Sequence, residues 1–197
     1  MKSAVIDGHE YTLLRDRDQG NYKHLSFEGK VTYLDLRVNG ILVSPCQTEM
    51  KRAIGTNTGL ILVTAICAGI SAASTFMGGK QPRKRGEARQ FFLYFVEVYM
   101  PNLAVSVPGG SETWAEWLWR DVRSGLAHSF TIETGGMKLE SAPYIRMANH
   151  GPEIHAPTLL REVADGWRQY LNDVRKDGQS GPLGKNFADR FEGVFHD

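Results

Sequence analysis

Between Arg52 and Lys80 the chain carries no charged side chain, and this run of 27 residues, Ala53 to Gly79, restricts the fold more than any other feature. A segment of that length and polarity is either the central helix of a helical core or a membrane span. Its flanks, Lys51-Arg52 before it and Lys80, Arg83, Lys84 and Arg85 after it, suit a span. Its content argues for the core. Gly, Ala, Ser and Thr dominate, which weakens transfer into lipid and lets neighbouring helices approach closely. The chain as a whole is ordinary for a globular protein of one domain, with 197 residues, 42% apolar and 23% charged.

The helical signal continues after the run. Phe91 to Met100 is almost wholly apolar and is closed by Pro101. Thr113-Trp-Ala-Glu116 fits a capping box, and Trp114, Trp117, Leu118 and Val122 then recur at helical spacing. Leu159, Leu160, Val163, Trp167, Tyr170, Leu171 and Val174 line one face of a long helix ended by Gly178. Phe187, Phe191, Val194 and Phe195 predict a short terminal helix packed back on the body.

Two stretches read as β. In the first 45 residues, Val31 to Val38 and Ile41 to Val43 flank Asn39-Gly40, a pair suited to a type I′ hairpin turn, and weaker turns sit at Asp7-Gly8 and Glu28-Gly29. This predicts a β-rich appendage over residues 1–45, a meander of two to four strands, ahead of a helical domain over 46–197. After Ser129, Phe130 to Thr134, Gly135-Gly136 and Met137 to Leu139 predict a hairpin, and Tyr144 to Met147 adds a strand. The fold class expected is mainly α.

The capped third helix ends Leu118-Trp-Arg-Asp-Val-Arg123-Ser-Gly-Leu-Ala-His128. An Arg, four residues and a His near the end of an amphipathic helix match the R-x4-6-H motif, and the chain resembles the HEPN superfamily over about residues 48–178. The order of elements is similar as well: a small-residue helix, an aromatic helix ending Met-Pro, a loop, the motif helix, and a long amphipathic helix after Gly-rich β material. The resemblance implies a helical bundle that pairs as a homodimer through its motif helices. It implies a metal-independent endoribonuclease of a toxin–antitoxin or phage-defence system, with RNA as substrate, an antitoxin or other protein as partner, and no cofactor. Arg123 and His128 would be catalytic. Ser124 takes the position that active relatives fill with Asn, Asp or His, and is the third candidate.

The chemistry suits these residue types. Histidine titrates near neutrality and can carry a proton, and a guanidinium presents donors in fixed geometry to the charge that gathers on phosphorus. On an ideal helix the two side chains lie about 140° apart, and Arg123 falls opposite the apolar stripe. That position points it outward or into a dimer contact. The residues also allow a structural alternative, with Arg123 paired to Asp121 or Glu116 and His128 ending the helix.

Lys80, Arg83, Lys84, Arg85 and Arg89 form a basic stretch able to hold nucleic-acid phosphates. Trp119 is the one tryptophan of this helix off the stripe and could stack a base. His150 and His155 lack a third ligand at a useful spacing, so no metal site is expected. Cys46 and Cys67, too few for a disulfide framework, and an N-terminus without an apolar signal core predict the cytoplasm. Three functions stay open on sequence alone: the ribonuclease, a non-catalytic HEPN-like module that binds a protein partner or nucleotide, and a membrane-associated protein using residues 53–79.

Overall fold

A computed structural model describes residues 3–12, 21–52, 59–124, 135–140, 143–149 and 151–195. The protein is mainly helical, with two small sheets among the described residues. Strands β1 (Ser3–Ile6) and β2 (His9–Thr12) form an antiparallel hairpin. Asp7 and Gly8 turn it, both at positive φ (51° and 81°), as a two-residue I′ turn requires. The Asp7 carboxylate then accepts from the Ser26 backbone N–H at 2.7 Å, tying the hairpin to the next element.

That element overturns the expected second hairpin. Val31 to Val43 is helical throughout: α1 (Phe27–Val38) passes through a π-helical turn (Asn39–Val43) into α2 (Ser44–Arg52). The Ser26 hydroxyl caps its start, accepting from Gly29 N–H at 2.9 Å. Asn39 sits at φ −63° instead of the left-handed value a hairpin needs, and its amide donates to the Asp35 carbonyl (2.9 Å) and carboxylate (3.0 Å) one turn back. Strand preference reflects fit to a pleated, half-buried surface. Here Val31, Tyr33 and Leu34 are instead buried in the helical core. The expected boundary at 45/46 consequently falls inside α2, and α1 packs on the long C-terminal helix within one shared core.

The uncharged run supplies α3 (Gly59–Met77), the central helix. Val63, Ile66, Ile70 and Ala73 form its fully buried face. It packs against α4 (Glu87–Tyr99), α6 (Ala156–Asp177) and α7 (Pro182–Phe195). At Gly69 a Cβ would stand 2.3 Å from the tip of the Leu42 side chain, which would have to shift, and the Gly69 carbonyl accepts from the Trp167 indole at 3.2 Å. Among the described residues no helix is long and apolar enough to cross a membrane. Helix α4 ends at Met100-Pro101 as expected, and α6 buries all seven residues of its predicted face before Gly178, at φ 71°, ends it.

Helix α5 (Trp114–Trp117) opens with the predicted capping box, Thr113 and Glu116 each bonding the other's backbone N–H. It continues as a π-helical segment, Leu118–Ser124. The second sheet has the order β3-β5-β4, from β3 (Gly136–Lys138), β4 (Ile145–Ala148) and β5 (Gly151–His155). β3 pairs in parallel with β5; the sequence also expects Met137–Leu139 to pair across Gly135-Gly136. Its proposed partner, residues 130–134, lies outside the described residues.

One carboxylate joins all three strands. Glu153 of β5 is 2% exposed and lies between Arg146 of β4 (Nη2 at 2.5 Å) and Lys138 of β3 (3.3 Å). Burial pushes its carboxyl up, but hydrogen bonds and charge from the two cations outweigh burial and hold it below the ordinary 4.5. A depressed folded value stabilises the fold above the unfolded value, and this contribution is lost as pH falls through the folded one. Glu153→Gln is therefore expected to destabilise the protein at pH 7 and to do so progressively less below about pH 4.5, by denaturant unfolding across that range. An equal gap at pH 3 and pH 7 would show that the charge is not what joins the strands.

Candidate functional site at the motif helix

The capping box fixes where the motif helix begins, and Trp114, Trp117, Leu118 and Val122 anchor it in the core. The π-helical segment then changes its phase. Hydrogen bonds that span five residues turn the chain less per residue than α bonds do. Arg123 is accordingly not opposite the buried stripe, as an unbroken α-helix would have it. It is half-buried and lies against α3, where it lines a pocket of about 270 Å³ with Thr64, Cys67, Ala68 and Ser71.

The carboxylates that could have claimed Arg123 belong to other residues. Arg120 takes buried Asp121 in a close two-point contact and reaches Glu112 at 2.6 Å. Arg89 takes Glu116 at 2.7 Å. Arg123 has no ion pair among the described residues. Its guanidinium stacks over Trp119 at 4.3 Å, and Trp119 packs on Phe92 with ring centroids 5.1 Å apart. A cation over an indole keeps N–H groups able to act as donors.

The α3 residues that line the pocket are uncharged, and its surface is mostly apolar. The Ser71 Oγ is shut off from solvent and has no hydrogen-bond partner. Cys67 is fully buried. Burial pushes its thiol up to about 12, against a smaller downward pull from Arg123, so it stays protonated at neutral pH. Among the described residues no acidic side chain lines the pocket.

The other candidates divide. The Ser124 hydroxyl donates to the Trp119 carbonyl, five residues back, at 3.0 Å. That bond ties the side chain to the π-helical backbone. His128 and His150 lie outside the described residues. His155 bonds Thr158 Oγ1 at 2.8 Å, and burial lowers its pKa. Among the described residues no group of three His, Cys, Asp or Glu could hold a metal ion.

The basic stretch is only partly free. Lys80 pairs with Glu87 at 2.7 Å, and the Arg83 and Lys84 backbone N–H groups donate to the same carboxylate at 2.8 and 3.2 Å. Those bonds bring Glu87 down to about 2. All five side chains are exposed; with Arg89 also paired, Arg83, Lys84 and Arg85 are the cations of the set in no ion pair among the described residues. Sequence reasoning did not single out Thr64, Cys67 and Ser71. Their signal was the presence of small polar residues in an otherwise apolar helix facing the motif.

Compared with models of known families, with curated proteins and with solved structures, the chain matches none.

Proposed function

We propose that the protein is a metal-independent endoribonuclease of the HEPN-like kind, with Arg123 and His128 as its catalytic residues. The observation that supports this reading is Arg123 itself. An arginine in no ion pair among the described residues, its guanidinium over the Trp119 ring at the edge of a pocket with no acidic group among those residues, can receive an anion. In the reaction the RNA 2′ oxygen attacks the adjacent phosphorus and the bond to the 5′ oxygen breaks. One proton leaves the 2′-hydroxyl and one arrives on the 5′ oxygen. The His128 imidazole takes the first and supplies the second, and Arg123 offsets the charge on the phosphoryl oxygens. The nucleophile is part of the substrate, so the step needs no metal-activated water.

The test is single-stranded RNA incubated with the protein in EDTA. Cleavage to 2′,3′-cyclic phosphate and 5′-hydroxyl ends is expected, and His128→Ala should lower its rate by about 10²-fold or more. Cleavage that needs a divalent ion, or that His128→Ala leaves intact, removes the mechanism. A wild type inert on varied RNAs overturns the reading in favour of a binding module.

A further inference from the structure

We propose that a second pocket, between α2, α6 and the end of β3, binds a medium-chain aliphatic carboxylate. Among the described residues it takes no lining from the motif helix, and the proposal does not depend on the ribonuclease reading.

Three segments far apart in the chain build the pocket. α2 packs on α6, and Leu139, the residue after β3, adds a third side. The volume is about 460 Å³, in the lower part of the range of small-molecule sites. The lining divides into an apolar wall and a cationic edge. Met50 and Leu160 are buried and, with Leu139 and Pro157, make an aliphatic surface. Lys51 follows Met50 and Arg161 follows Leu160, so each helix sets its cation beside its apolar contact. Both cations are exposed, and neither is in an ion pair among the described residues. The carboxylates nearest in sequence are engaged elsewhere or stand apart. Glu49 takes Arg52 at 3.0 Å, and Glu162 accepts from Asn102 at 3.0 Å and from the Tyr144 hydroxyl. Glu140, next to Leu139, is exposed and pairs with neither cation. Among the described residues no carboxylate lines the pocket.

This division selects the ligand. A mostly apolar surface favours a ligand with an apolar body. The lining has no aromatic ring on which a base could stack, so that body is an alkyl chain and not a nucleoside. Two cations at one edge favour an anionic head over a neutral one. A carboxylate presents two oxygens in a plane, which match the fork of Arg161 and leave Lys51 to act as a point charge. The Lys51 and Arg161 stems can cover apolar surface while their charged ends stay at the solvent edge. The head group thus sits at the mouth, beside the Gln47 amide one turn before Lys51, and the chain lies on Met50 and Leu160.

Binding is measured on the full chain by titration calorimetry, with octanoate as the probe. One octanoate per chain should bind saturably, below the concentration at which octanoate aggregates. Hexanoate and butanoate should bind progressively more weakly, by up to about fourfold per methylene removed. Octanol has the same chain without the charge and should bind about tenfold more weakly or worse. Lys51→Gln and Arg161→Gln change exposed positions and should leave the melting temperature of the free protein unchanged. Together they should weaken octanoate about tenfold and leave octanol as it was. Octanoate should also raise the wild-type melting temperature with concentration, and that of the double variant much less. The lack of saturable binding overturns the site. Octanol that binds as tightly as octanoate, or octanoate binding that the double variant leaves unchanged, overturns the anionic head. Butanoate that binds as tightly as octanoate overturns the alkyl chain, as does adenosine 5′-monophosphate if it competes for the site more tightly than octanoate binds. None of these results requires RNA cleavage, so the two readings fail separately.

Discussion

Arg123→Ala is expected to lower the rate of RNA cleavage by about 10²–10³-fold, the usual cost of removing a preorganised donor from a developing oxyanion. Stability should change little. Arg123 is in no ion pair among the described residues, and its main contact is the face of Trp119 at 4.3 Å, an exchangeable stacking contact at a half-buried site. Arg123→Lys is the sharper probe. Lysine keeps the charge but cannot lie flat on the indole or present two parallel N–H groups, so it should recover only part of the lost rate. Full activity in the lysine variant would mean that charge alone suffices, and full activity in the alanine variant would remove Arg123 from the site. Both variants should give wild-type circular dichroism, which separates a chemical loss from an unfolded protein.

Trp117→Ala is expected to have the largest effect on stability, about 3–5 kcal/mol, the cost of truncating a large buried aromatic and leaving a cavity. Trp117 is fully buried and meets Trp114 edge to face with centroids 6.0 Å apart. A domain of this kind has in total about 5–15 kcal/mol of stability, so the variant should lie near the edge of folding. Urea unfolding followed by far-ultraviolet circular dichroism measures this directly. A loss below about 1 kcal/mol would mean that the indole is not part of the core. The residue also anchors the turn from which the π-helical segment runs to Arg123. Any fraction that stays folded should therefore lose activity beyond the fraction unfolded.

Part of this protein was legible in its sequence, for definite reasons. Seven apolar residues at helical spacing between Leu159 and Val174 can all be buried together only on one side of a helix, and α6 buries them. The Thr113–Glu116 box marks a helix start by bonds within four residues, so no distant contact can alter it. A long uncharged run among amphipathic helices has no place but the centre, and α3 occupies it. These signals are local, or depend on how much of the chain must be buried.

Tertiary structure decided the rest. Val31 to Val43 carries strand-forming residues around Asn-Gly, yet its apolar side chains gain more by packing on α6 and α7 than by pairing as a hairpin, so it folds as a helix. The shift to π-helical bonding at Leu118 moves Arg123 from the solvent side to the wall of α3, a change of phase that residue spacing does not encode. The ownership of charges was equally hidden. Arg89, Arg120 and Arg123 share one stretch of the fold with Glu112, Glu116 and Asp121, and only their positions in space leave Arg123 in no ion pair among the described residues. Motif spacing singled out the arginine, and packing of distant segments set its environment.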